Sequence, residues 1–468
     1  MQRTHTLSKD VSAAREVLII ALICLAQLTT QVGFGQAVAI LNVVGDDFGI
    51  DNPGVKSWLV AGYSLTVGSF ILISGRLGDV YGYKRMLVFG YSWFALWSIV
   101  YSSYVLYIFA RVLQGVGPAI CMPNGLALLG ALYEPGNKKN FAFAIFGALA
   151  PVGSIIGAVF ADVFALAWWP WTYWSFAIVL AVIAGVVEVA MPDPQDLAPR
   201  PDTLKRIVEE LDLLAAAVGV GSLIVFNFAW NQAPIAGWSS GYIIACLVLG
   251  VLLVPLFFFL ELKVSTHPLI PFSVLTSTNA FVLGCIACGW AEFGIFFYYL
   301  WVILLNLRKC SPLLAAAYLT PLIITGSLAA GSTGYLLSRL RPAWLMVIAM
   351  AAFLVGNLLI ATLPVHQIYW GQIFVATVVS PFGMDMSFPA ATIYLSNTIE
   401  KERQGVAASL VNTIVNYSIS LGLGFVATVE IHVSRGDGSF EDTPKGYRGA
   451  LFIGTGLAGL GLILRSRS

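Results

Sequence analysis

Long apolar runs recur along this chain. Each is about as long as a bilayer-crossing helix and is closed by a short polar break. A helix rises 1.5 Å per residue, so about 20 residues cross a hydrocarbon core of about 30 Å. By that measure runs fall near 17–44, 57–74, 86–103, 104–132, 140–162, 168–190, 211–230, 239–260, 277–305, 312–337, 343–363, 367–395, 404–430 and 447–464. The pattern predicts fourteen spans. One break stands out, the Pro-rich and charged stretch MPDPQDLAPRPDTLKRIVEE. It suggests a tail over 1–16, a six-helix bundle over 17–190, a linker over 191–210, two extra helices over 211–260, a loop over 261–276 and a second six-helix bundle over 277–468. The first run exceeds the 7–15 residues of a signal-peptide core, so it reads as an uncleaved span.

Composition agrees. Hydrophobic residues make up 58% of the 468, charged residues 10%. Soluble domains average about 45–50% apolar and ~25% charged. So few charges cannot cover a surface in water, and the expected class is an all-α integral membrane protein. A net charge of +1 gives no nucleic-acid footprint. Most Lys and Arg fall in alternate breaks, on the side that would hold both termini. The positive-inside tendency makes that side cytoplasmic. The ring-rich segment AWWPWTYW, 167–174, lies on the opposite side, where amphipathic rings suit the headgroup level. The six cysteines sit mostly in apolar runs. Cys285 and Cys288 form a lone CxxC, read as packing residues rather than a metal or redox site. His5, His267, His366 and His432 lie far apart in sequence and outside the spans. No G-x-x-x-x-G-K-[ST] cradle for ATP occurs, and no metal or cofactor is expected.

Charge is concentrated in GRLGDVYGYKR, residues 75–85, between the second and third spans. Gly75, Gly78 and Gly82 permit a tight turn, and Lys84 and Arg85 suit an anionic leaflet. Asp79 is placed just past a helix C-terminus, where the dipole disfavours it. It calls for a cation or a helix N-terminus as partner. A partner that changes with conformation would make the turn a latch; a plain positive-inside hairpin is the alternative.

Ionisable residues at depth are costly, about 2.5–3.5 kcal/mol on insertion scales, so they face cavities or partners. Arg111, Glu292 and Asp385 are the candidates for proton coupling. A low-dielectric setting favours the neutral form of a carboxyl, which suits proton loading and release. The alternatives are a structural cation for Arg111, and fixed ion pairs or permanently neutral acids for the other two. Asp162 and Glu188 lie near span ends, where interfacial solvation accounts for them. Gln27, Gln31, Gln114, Asn412 and Asn416 are candidate cavity residues. Ser409, Asn412, Asn416 and Ser420 form one helical stripe, which either lines a cavity or makes interhelical hydrogen bonds. Weak internal repetition pairs Gly75–Asp79 with Gly334–Ser338, and Pro123 and Glu134 with Pro389 and Glu400. Repeated halves are a common transporter design. Pro118, Pro123, Pro151 and Pro389 would bend their spans.

Three motifs carry a family resemblance. Residues 75–85 resemble the signature loop G-x-L-x-D-x-x-G-x-K-R of the major facilitator superfamily. RVLQGVGPAI, 111–120, is similar to that family's fourth-span motif. GALAPVGSIIGA, 147–158, resembles its fifth-span antiporter motif through Gly147, Pro151, Gly153 and Gly157. Ala150 replaces one glycine there, and Gly157-Ala158 stands for the final Gly-Gly. Fourteen spans point to the drug:proton antiporter group with two extra helices. Residues 31–45, 167–174, 224–238 and 380–396 resemble the fungal branch of aminotriazole- and boron-resistance exporters and low-affinity ammonium transporters. The first-span Asp of many drug antiporters is absent between Gln31 and Leu41. The resemblance implies a major facilitator fold of two bundles plus two linker helices. It also implies that Arg111 tunes coupling or the substrate site.

The expected function is proton-coupled export of a small organic compound by alternating access. The rival is passage of a small inorganic solute such as ammonium or borate. A non-transporting membrane sensor is the reading from another class. No nucleophile–base pair suggests an enzyme. The expected partners are a small-molecule substrate, protons and the bilayer, in the plasma membrane or else the vacuolar membrane.

Overall fold

The computed structural model describes residues 12–50, 52–101, 103–133, 137–191, 208–266, 268–270, 276–337, 339–398, 404–434 and 443–466. Most of the tail 1–16 and of the linker 191–210 lies outside these residues. So do part of the loop 261–276, His5, His267, Glu134, Ser338 and Glu400.

The described residues are helical, with no strand among them. The first set comprises α1 (Ala13–Ala39), α2 (Leu41–Asp47), α3 (Pro53–Tyr81), α4 (Tyr83–Ser98), α5 (Tyr104–Gln114), α6 (Val116–Leu132), α7 (Asn137–Ala165) and α8 (Trp171–Ala190). Next come α9 (Leu213–Ala236) and α10 (Gly241–Lys263). The last set is α11 (Ser277–Val302), α12 (Pro312–Leu319), α13 (Pro321–Leu336), α14 (Pro342–Ala361), α15 (Gln372–Thr398), α16 (Gln404–Val433) and α17 (Thr443–Ser466). Local chemistry sets the starts. Asn52 Oδ1 accepts from Gly54 N at 2.9 Å with Pro53 in the first turn, and Thr276 Oγ1 accepts from Asn279 N at 3.2 Å.

Among the described residues thirteen helices are long and apolar enough to cross a membrane, one fewer than the fourteen expected. The exception is α4, 16 residues or about 24 Å. It still reverses the chain. It starts beside the end of α3, and the residues after it return to the start of α3, where Tyr104 Oη donates to Val55 O at 2.6 Å. Three expected spans are also broken. The first breaks at Ile40 and the tenth between Leu319 and Pro321. The fourth breaks at Gly115, where the Thr66 hydroxyl donates to Val112 O. That oxygen is the acceptor the helix would otherwise use one turn on.

Within the first set α1 packs on α7 and α6, and α4 lies between α6 and α8. Within the last, α11 packs on α16 and α17, and α14 on α15 and α17. Two seams join the sets, α3 with α16 and α7 with α13. Each pairs the second span of one half with the fifth of the other, as duplicated halves would. The seams are tight: a Cβ on Gly68 would lie 2.5 Å from Tyr417 N. α9 packs on both α3 and α16, and α10 rests on α9 with much of its apolar surface outward. We call the side holding Ala13 and Ser466 the near side and the opposite one the far side.

Candidate functional site

Arg111 is buried in the first half. Its Nη2 donates to Gly33 O at 2.8 Å and its Nε to Leu59 O at 3.2 Å. Its Nη1 donates to Gln114 Oε1, and Gln114 in turn donates to Ser98 Oγ. The rings of Tyr63 and Tyr173 flank the guanidinium at 4.6 and 5.6 Å. The cation therefore ties α1, α3, α5 and α8 together through carbonyls and rings. The geometry is that of the structural alternative. Gln114 likewise serves this node.

The carboxyls of the second half are placed differently. Glu292, mid-way along α11, is 1% exposed, and its Oε2 has no hydrogen-bond partner. Asp385, on α15, is 5% exposed with Oδ2 likewise unpartnered. Asp385 sits at the α7–α13 seam. A Cβ added to Gly326 of α13 would lie 2.8 Å from Asp385 Oδ2 and 2.7 Å from Pro151 Cγ of α7. The fixed ion pairs considered for the two acids do not occur among the described residues.

Asp162 corrects an expectation. It lies in the last turn of α7 but is buried, and neither carboxyl oxygen has a partner. Interfacial solvation does not describe it. Glu188 does meet solvent and pairs with Lys84 at 3.9 Å.

Of the antiporter-motif residues, Gly153 and Gly157 press α7 onto the backbone of α1, beside Leu28 O and Val32 O. Pro151 faces α13, and Gly147 has open space. Gln31 lies opposite Ser154, whose Oγ donates to its Oε1 at 3.4 Å. Gln27 is buried with Oε1 unpartnered. The stripe on α16 splits. Ser409 abuts Gly75, and Ser420 Oγ lies 3.0 Å from both Ala61 O and Asn227 Oδ1. Ser420 thus bridges helices by hydrogen bonds, whereas Ser409 Oγ, packed against Gly75, has no hydrogen-bond partner among the described residues. Asn412 and Asn416 are buried between them, with Asn416 Nδ2 donating to Asn412 O at 3.0 Å.

The charged hairpin departs from expectation in one respect. α3 continues to Tyr81, so Asp79 lies inside its last turn, and its Oδ1 accepts from Tyr83 Oη at 2.7 Å. Asp79 forms no close ion pair among the described residues, although the charge of Arg76 is near enough to act on it. Gly82 makes the reversal at φ 98, a region that favours glycine. Gly78 packs against Asn124 of α6. Arg76 Nε donates to Glu210 O at 2.9 Å, and Arg85 is exposed.

Sequence reasoning missed several polar residues. Asn227 and Asn231 of α9 are buried, and Asn231 Nδ2 donates to Ser420 O at 3.3 Å. Trp58 Nε1 donates to Gln232 Oε1 at 3.0 Å. Polar residues one turn apart in an apolar helix were the available signal. Glu430 was also missed; it accepts from Tyr299 Oη at 2.6 Å. His432, expected outside the spans, lies in the last turn of α16. Trp169, expected at the headgroup level, is buried and donates from Nε1 to Asp47 Oδ2 at 3.0 Å.

Residues 23–423 match the profile of the Major Facilitator Superfamily. The chain is 47% identical over 455 residues to the low affinity ammonium transporter of Saccharomyces cerevisiae, covering 96% of this chain and 87% of that one. It is 44% identical over 460 residues to the efflux pump terJ of Aspergillus terreus, covering 97% and 88%. Among solved structures, a peptide transporter POT in complex with sulfate superimposes with a TM-score of 0.66 at 15% identity, covering 96% and 94%. That likeness concerns the fold.

Proposed function

The chain belongs to the Major Facilitator Superfamily, and on that premise we propose that it is a proton-coupled secondary transporter exporting a small organic compound. The observation that carries the proposal is Asp385. A buried carboxyl with a free oxygen sits where the two halves meet, against Pro151 and Gly326. A proton gained or lost there changes the charge at a surface that must slide during alternating access, and no ion pair has to break first. Glu292 is the second carrier. Gln27, Gln31 and Asn416 are the polar groups left to meet a solute. Arg111 acts through its hold on α1 and α3. The efflux pump relative supports organic export. Passage of ammonium is the second reading, favoured by the yeast relative. The division into bundles at 17–190 and 277–468, with 211–260 as a linker pair, belongs to this proposal. So do cytoplasmic termini, from the bias of Lys and Arg to the near side, and a plasma-membrane or alternatively vacuolar location.

The test is purified protein in proteoliposomes loaded with a pH-reporting dye. A panel of toxic organic compounds and ammonium is offered under an imposed pH gradient. Solute-dependent proton movement, lost in Asp385→Asn, is the expected result. Folded protein that moves none of these solutes would sink the transport reading. Solute movement indifferent to the gradient would remove the coupling.

A further inference from the structure

On the far side the two halves are joined by a pair of asparagines. Asn42 Nδ2, on α2 of the first half, donates to Asn306 Oδ1 of the second at 2.7 Å. Both lie where regular helix fails. Asn42 follows the break at Ile40. Asn306 lies in a π turn, Ile303–Leu307, that ends α11. Arg308 N donates five residues back to Ile303 O at 3.0 Å, and Lys309 closes the turn in the left-handed region at φ 52. One extra residue per turn rotates the side chains relative to an ordinary α-helix. The turn thereby brings the Asn306 amide to Asn42.

Asn306 is anchored on its own half. Its Nδ2 donates to Tyr447 Oη of α17 at 3.3 Å. Tyr447 packs on Tyr299 with ring centroids 5.6 Å apart, and Tyr299 Oη donates to Glu430 Oε2 of α16. Asn42 makes no other side-chain hydrogen bond to the second half among those described. Toward the bundle centre a second layer follows, Phe34 of α1 against Phe297 of α11 at 5.6 Å. Five residues further, about 7.5 Å along α11, lies the buried Glu292.

We propose that Asn42 and Asn306, held by the π turn and by Tyr447, form the far-side gate above Glu292, with Phe34 and Phe297 as its inner layer. The proposal rests on the transport reading and adds the residues that must part for the far side to open. The Asn42–Asn306 bond breaks, while the Asn306–Tyr447–Tyr299–Glu430 chain moves with its own half. A single neutral hydrogen bond suits such a gate, because its net weight of about 1 kcal/mol leaves the open state within thermal reach.

The test reads opening without any solute. A reporter cysteine replaces Phe293, one turn beneath Phe297, in protein whose native cysteines are changed to alanine or serine. Labelling by a maleimide is followed in lipid nanodiscs. Asn42→Ala and Asn306→Ala should each raise the rate about fivefold, the weight of one hydrogen bond. In the pair Asn42→Cys with Asn306→Cys, oxidation should suppress labelling and a reductant should restore it. Equal rates in the alanine variants and their parent, or an oxidised pair that labels as fast as the reduced one, would overturn the gate. If Asn306→Ala disturbs folding, Asn42→Ala, remote from Tyr447, carries the test. Labelling that responds while proteoliposomes move no solute leaves the gate standing and sinks the transport reading. Transport with unresponsive labelling does the reverse.

Discussion

The two halves bury opposite charges in opposite ways. In the first, Arg111 has carbonyl partners at Gly33 and Leu59, an amide partner at Gln114 and two tyrosine rings. In the second, Glu292 and Asp385 each keep an oxygen with no partner. A satisfied buried ion is a fastener, because moving it would strand several groups at once. An unsatisfied one is a group whose protonation can change without dismantling its surroundings. The first half's own unpartnered acid, Asp162, lies in the last turn of α7, away from the middle of the bundle. On the proposed reading, the contrast sets a cation held by the fold apart from acids whose protonation can change, although all three looked alike as isolated charges in apolar runs.

The contrast breaks most readily at Arg111. Arg111→Ala removes three hydrogen bonds made by a buried cation. It should cost about 3–5 kcal/mol, read as lowered thermal stability in detergent. A variant with parental stability but no transport would mean that Arg111 belongs with the acids after all. Gly326→Val comes next. Its side chain would collide with Pro151 and Asp385, and overpacking of this kind costs about 1–3 kcal/mol. The expected readout is weakened transport together with a loosened seam, seen as faster hydrogen exchange in α13. Asp385→Asn should cut gradient-driven flux about tenfold, equivalent to about 1.4 kcal/mol, with unchanged melting, and Glu292→Gln somewhat less. Full coupled flux in both variants would erase the difference between the halves. The smallest effect is expected from Asn227→Ala, about 0.6 kcal/mol by the average for polar contacts between membrane helices. A much larger loss would make α9 a third working element.

Much of the architecture was legible because it depends on the solvent. Hydrocarbon leaves no partner for an open backbone group, so apolar runs must be helices and their lengths mark the crossings. The pairing of the seams was not read from the sequence, although it agrees with the repeat that Pro123 and Pro389 hint at. The breaks at Gly115 and Ile40 were not legible. The break at Gly115 depends on a hydroxyl from another helix, Thr66 on Val112 O, which no local pattern encodes. Asp79 was misplaced for a related reason: α3 runs on into the polar hairpin, where hydropathy no longer reports helix.

By itself the sequence determined the membrane class, the series of apolar helices and the depth of Arg111, Glu292 and Asp385, but not that of Asp162. Those are properties of each segment's own transfer from water to lipid. Tertiary structure alone decided which groups are spent and which are free. Partners for Arg111, Ser420 and Asn306 come from helices remote in the chain, and packing geometry, not hydropathy, brings them within hydrogen-bond reach.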